Sequence, residues 1–158
     1  MRFAVPDRPT ADDAWNHRLS HLLWEVTSVV SLLSDAELAD TPLTNPGIGI
    51  LDIVATEPGI TVAEIARRSP KTPQAVSQVA ARLEKLGCLE RRVAEGRGVA
   101  LHITAAGEDA RAAGNEREAA FDDKLRDALG ADRYEQLRTL LEEARPIVRR
   151  MEPRDRGA

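Results

Sequence analysis

Apolar residues recur at three- and four-residue spacing through most of this chain, so the pattern predicts helices first. Trp15, Leu19, Leu22, Val26, Val29 and Leu33 form one stripe. It predicts a helix from an N-cap at Asp12 or Asp13 to about Asp35. Leu23, Trp24, Val30 and Leu32 fall outside that stripe. A helix apolar on more than one side is buried against several partners, and a second subunit is the simplest cover here. Residues 1–12, with Pro6 and Pro9 and no periodicity, read as a loose arm. After the loop "ELADTPLTNPG", Asn45 as cap and Pro46 at the first helical position open a helix over "PGIGILDIVATE". Gly47 and Gly49 weaken it, and Pro58-Gly59 ends it. Thr61 then caps "VAEIARRS", and Glu64 three residues on completes a capping box. "SPK" is a tight turn. Thr72 as N-cap and Pro73 at the next position open "TPQAVSQVAARLEKLG", which Gly87 closes.

Beyond Gly87 the period changes from helical to alternating. Leu89, Arg91 and Val93 alternate on one predicted strand, Val99, Leu101 and Ile103 on a second, and Glu95-Gly96-Arg97-Gly98 forms the turn. A long helix with a polar middle follows from Thr104 to about Ala128, broken at Gly130. A last helix runs from Asp132 to about Met151, with Tyr134, Leu137, Leu140, Leu141, Ala144, Ile147 and Val148 apolar and a kink expected at Pro146. Residues 152–158 read as a frayed tail.

The Thr72–Gly87 helix has two contrasting faces. Val76, Val79, Ala80, Leu83 and Leu86 form its buried stripe. Gln74, Ser77, Gln78, Ala81, Arg82 and Lys85 form the other, which carries no carboxylate because Glu84 points aside. The whole chain has 22 basic and 26 acidic residues, net −4. Residues 61–104, however, hold eight Lys or Arg against four acids, +4, and leave −8 elsewhere. A basic segment in an acidic protein points to a local polyanion contact.

Helix, turn, helix and hairpin is the order of a winged helix-turn-helix. The fold class expected is mainly α with a small β-hairpin wing. A helix fits the major groove, where Gln, Ser and Arg can distinguish base edges. A hairpin tip can enter the minor groove, where negative potential favours an arginine. The predicted double-stranded DNA contacts are therefore Gln74, Ser77 and Gln78 for bases, and Arg97 at the wing tip. Lys71, Thr72, Arg82, Arg91 and, less directly, Lys85 would contact phosphates. Arg91 and Arg92 alternate, so one of the two faces DNA.

The stretches "LT" at Leu43-Thr44, "PGITVAEIARR", "AVSQVAARLEKLGCLERR" and "EGRGVALHIT-AAG" together resemble the MarR-type (multiple antibiotic resistance regulator) transcription factors. The resemblance spans Leu43 to Gly107. The family's wing motif is Asp-Arg-Arg, alternating hydrophobics, Leu-Thr and a Gly. Here Glu95 and Gly96 replace its Asp and first Arg, leaving Arg97. The usual polar residue is lost at Ala75, the frequent Arg is Gln78, and "SPKTP" carries two prolines in the turn. Fewer cations imply weaker or more selective DNA binding than in a typical member. The resemblance implies a homodimer on a palindromic operator, with interlocked N- and C-terminal helices. It also implies a regulator, usually a repressor, controlled by a small ligand between the dimer helices and the DNA-binding lobe. The expected organisation is an arm at 1–12, dimerisation helix and loop at 13–42, DNA-binding lobe at 43–104, dimerisation helices at 105–151 and a tail at 152–158.

Other chemistry is sparse. His17, His21 and Glu25 recur every four residues, a spacing that can hold a metal. Without a further Cys or His cluster, a solvated or intersubunit face is expected instead, and no metal or cofactor is assigned. Trp24, on the same side as His21, reads either as an effector-pocket wall with His21 or as a dimer anchor. The single cysteine, Cys88, stands at an apolar position and is expected to be inert. No catalytic set emerges, so an enzyme is not expected. No apolar run reaches the ~20 residues of a membrane span. "MRFAVPDRPTADD" lacks a signal peptide's apolar core, which makes the cytoplasm the expected location. The rival reading is a winged-helix protein-docking module; it would need an apolar patch on the Thr72–Gly87 outer face, which is polar.

Overall fold

The computed structural model describes residues 17–69, 71–94 and 98–151. The elements are α1 (Leu19–Glu37), α2 (Asn45–Thr56), α3 (Val62–Arg68), α4 (Pro73–Lys85), β1 (Leu89–Ala94), β2 (Gly98–Ile103), α5 (Ala105–Leu129) and α6 (Ala131–Arg150). The chain divides into two compact units, Met1–Asn115 and Glu116–Ala158. No helix among the described residues is long and apolar enough to cross a membrane.

Most helix ends lie where local chemistry places them. Thr61 accepts from the Glu64 N–H at 3.2 Å, and the Glu64 carboxylate accepts from the Thr61 N–H at 2.8 Å, so the capping box is complete. Thr72 Oγ1 accepts from the Ala75 N–H at 3.2 Å and Pro73 takes the first position of α4. Gly87 closes α4 at φ +72°, a left-handed conformation that glycine adopts without a Cβ clash.

Three boundaries differ from the sequence reading. α1 begins at Leu19 after Arg18, which makes no side-chain cap; the expected caps Asp12 and Asp13, and Trp15, lie outside the described residues. His17 therefore precedes α1 in a turn and shares no helix face with His21 and Glu25. At α2 the cap is Thr44, not Asn45: Thr44 Oγ1 accepts from the Gly47 N–H at 3.3 Å. Asn45 is drawn away by α1, accepting from Ser34 Oγ at 3.1 Å and donating to Asp35 Oδ1 at 3.0 Å. Gly98, read as part of the turn, pairs with Ala94 and opens β2.

The first unit is built around one core. Ile48, Leu51 and Val54 of α2, Ile65 of α3, Val76, Ala80 and Leu83 of α4, and Leu89 and Leu101 of the hairpin are buried together. β1 and β2 are antiparallel, with Leu89 opposite Ile103, Arg91 opposite Leu101 and Val93 opposite Val99. The hairpin is locked to the α2–α3 connection by Leu101 N–H donating to Ile60 O and Gly59 N–H to Leu101 O, both at 2.9 Å. Its far end leaves the core, and Val93 is 90% exposed.

α5 starts against the hairpin's root. Thr104 N–H donates to Cys88 O at 3.1 Å and Thr104 Oγ1 to Gly87 O at 2.6 Å. In the second unit, Tyr134 of α6 bonds Asp122 of α5, the Arg126 guanidinium lies 4.9 Å from the Tyr134 ring centroid, and Arg126 pairs with Glu135 at 3.0 Å. α6 continues through Pro146 to Arg150. Neither α1 nor α6 buries a residue of its own.

Candidate nucleic-acid interface

The α4 surface is assembled by burying one stripe and leaving the other outside. With Val76, Ala80 and Leu83 in the core, Gln74, Gln78, Arg82 and Lys85 are all exposed, and Ser77 is half-buried at their margin. Lys71 and Thr72 are exposed at the N-terminal end, where the helix dipole favours an anion. Thr72 Oγ1 serves as a cap acceptor and keeps its own hydrogen for a phosphate. Lys71 and Lys85 make no ion pair among the described residues.

Two expected phosphate contacts have partners that the sequence did not reveal. Arg82 donates from Nη2 to the Pro42 carbonyl at 3.0 Å, pinning the α1–α2 connection to α4. Arg91 donates from Nε to Glu84 at 2.7 Å, joining the wing root to α4. Arg92, one residue on, pairs with Glu90 of its own strand. Arg97, the expected wing tip, lies outside the described residues.

Other candidates are placed as follows. Cys88 is 5% exposed, and burial pushes its thiol above the ordinary value, which disfavours the reactive thiolate. The His21 and Trp24 rings stack with centroids 5.6 Å apart, and Trp24 remains 64% exposed. Arg18 and Ser20 complete an open depression beside them. No group of three or more His, Cys, Asp or Glu side chains that could hold a metal occurs among the described residues.

A cavity of about 430 Å³ lies behind the N-terminal end of α4. Ile50, Ile53, Ile65 and Val76 give it an apolar floor, while Asp35 and Lys71 supply opposite charges. Its walls come from α1, α2, α3 and α4, which are far apart in sequence, and no local motif announces it.

A MarR family model matches residues 41–98 of the chain. The HTH-type transcriptional repressor Rv2887 of Mycobacterium tuberculosis is 36% identical over 99 residues, which span 61% of this chain and 69% of that one. The chain belongs to the MarR family. It is a transcriptional regulator of that family and not an enzyme. Among solved structures, the MarR family protein Rv2887 in complex with salicylic acid matches with a TM-score of 0.67 at 30% identity, covering 85% of this chain and 98% of that one. The same Mycobacterium tuberculosis protein in complex with DNA matches with a TM-score of 0.67 at 28% identity, covering 80% and 96%. As a MarR regulator, this chain keeps the family's helix-turn-helix and wing order over its best-packed unit.

Proposed function

We propose that this MarR protein is a cytoplasmic homodimeric repressor that reads a palindromic operator through α4 and is released by a small ligand. The observation that carries the reading is the outer face of α4, where Gln74, Gln78, Arg82 and Lys85 are exposed together without a carboxylate among them. Gln74, Ser77 and Gln78 are the base-reading set; Lys71, Thr72, Arg82, Arg91 and Arg97 face the backbone and minor groove. The related Rv2887 structure with DNA supports this use of the fold.

Dimerisation is supported by the apolar faces left open on α1 and α6. Leu19, Trp24 and Leu32 are 72%, 64% and 63% exposed, and Leu140, Ile147 and Val148 are 62%, 54% and 59% exposed. Faces of this kind are covered in a stable protein, and a second copy supplies matching ones. Two-fold symmetry then sets the half-sites about ten base pairs apart.

Ligand release is supported by the cavity that shares Lys71 and Val76 with the approach to α4. A small anionic ligand would take Lys71 as counter-ion and the isoleucines as floor, drawing that cation away from phosphate. The salicylic acid complex of Rv2887 is consistent with such chemistry. In this scheme the stacked His21 and Trp24 serve the subunit contact. The test is selection of bound duplexes from a random pool, followed by affinity against salt. A palindrome whose binding falls steeply with salt is expected; recovery of nothing above background would refute the reader.

A further inference from the structure

We propose that Glu84 is a positioning residue for DNA binding, holding Arg91 by Nε so that its two η nitrogens are presented to the phosphate backbone. The inference rests on the DNA-reading assignment of α4 and the wing. Arg91 stands in β1 opposite Leu101, which is fully buried, so its backbone is fixed to the core. Its side chain is long and would otherwise sample many rotamers. Glu84, near the end of α4, accepts from Nε at 2.7 Å, and the two side chains are 28% and 34% exposed.

The guanidinium has five N–H donors in a rigid planar fork. A contact made through Nε leaves the four η hydrogens for an incoming phosphate. The carboxylate thereby orients the fork without consuming it, and lysine, with a single nitrogen, cannot reproduce the arrangement. A partly exposed pair of this kind contributes little to stability, so orientation is its main effect. Arg92 provides the contrast: it points to the other side of the strand and pairs with Glu90 of the same strand. Arg91 is thus the wing-root arginine whose direction is set by the reading helix itself.

The experiment titrates the full chain and its E84Q, R91Q, R91K and E84Q/R91Q variants with two duplexes across a salt series. One is the palindrome selected from the random pool, the other a scrambled duplex of equal composition. R91Q should lower the slope of log affinity against log salt by about 0.9 on the palindrome. E84Q should weaken both complexes, the palindrome about fivefold, at an unchanged unfolding midpoint, and add nothing in the R91Q background. R91K should keep its charge yet bind the palindrome like E84Q. Tighter palindrome binding by E84Q with a steeper slope would make Glu84 a mask, and overturn the proposal. Equal losses on both duplexes with a lower unfolding midpoint would make it purely structural, with the same consequence. Wild-type binding with E84Q unchanged would overturn this inference alone. A wild-type chain that retains no duplex from the pool would overturn the DNA reading and the inference with it.

Discussion

Replacing Gly107 with alanine tests how α5 is seated on the wing root. A Cβ at Gly107 would stand about 1 Å inside the 3.0 Å limit from the Cys88 carbonyl oxygen, 2.7 Å from Ile103 Cγ1 and 2.9 Å from the Cys88 carbonyl carbon. Two of these atoms are backbone and cannot rotate away, so α5 must retreat by about 1 Å. That retreat breaks or stretches Thr104 N–H to Cys88 O and Thr104 Oγ1 to Gly87 O. Two hydrogen bonds at ~1 kcal/mol each and overpacking of ~1–3 kcal/mol oppose a helix-propensity gain of ~1 kcal/mol. The net loss expected is about 2–4 kcal/mol. Gly114→Ala is the comparison: its Cβ would meet only side-chain atoms, Ile48 Cδ1 and Cγ1 at 2.7 Å, but of a fully buried β-branched residue. Overpacking of ~1–3 kcal/mol against a helix-propensity gain of ~1 kcal/mol predicts a loss of about 0–2 kcal/mol, below that of Gly107→Ala. Urea unfolding followed by circular dichroism, at one fixed protein concentration because a dimer's stability depends on it, measures both. A Gly107→Ala protein as stable as the wild type, as helix propensity alone predicts, would refute the close seating of α5.

Thr61→Ala should cost about 1 kcal/mol through loss of the α3 cap, read as a lower urea midpoint. The Thr61 backbone N–H, then its hydroxyl, holds the Glu64 carboxyl below its ordinary value of 4.5. Its folded value therefore lies below its unfolded one, so this contribution is complete above pH 4.5 and fades as pH falls through the folded value. Glu64→Gln should flatten the acid limb of the stability curve, and an unchanged limb would sink the assignment. Gln78→Ala should cost roughly 1–3 kcal/mol on the selected operator and relax selectivity at one base pair, scored by repeating the selection. Arg97→Ala should instead weaken all duplexes and reduce the salt slope by about 1. Leu22→Glu should convert dimer to monomer in sedimentation, at a cost of about 3 kcal/mol or more for unpaired charge in the subunit contact; a variant that stays dimeric would remove α1 from that contact.

The elements that local chemistry controls were legible in the sequence. The capping box of Thr61 and Glu64, the Thr72-Pro73 start of α4 and the Gly87 and Gly130 stops each depend on a few adjacent residues. The buried face of α4 followed from period for Val76, Ala80 and Leu83, but not for Leu86, which was expected in the same stripe and stands at the C-cap, 37% exposed. Those readings also carried the family, since helix, turn, helix and wing are an order along the chain. What sequence could not reach depends on groups brought together by folding. Asn45 lost the α2 cap to Thr44 because Ser34 and Asp35, eleven and ten residues away, hold its carboxamide. Arg82 reaches Pro42 across forty residues, and Arg91 meets Glu84 only once the hairpin turns back on α4. The need for glycine at position 107 arises from the Cys88 carbonyl facing it, and the cavity beside Lys71 from walls on four separate helices. Spacing along a chain specifies which face a residue occupies; only packing decides which polar group from elsewhere meets it there, and so which cations remain for DNA.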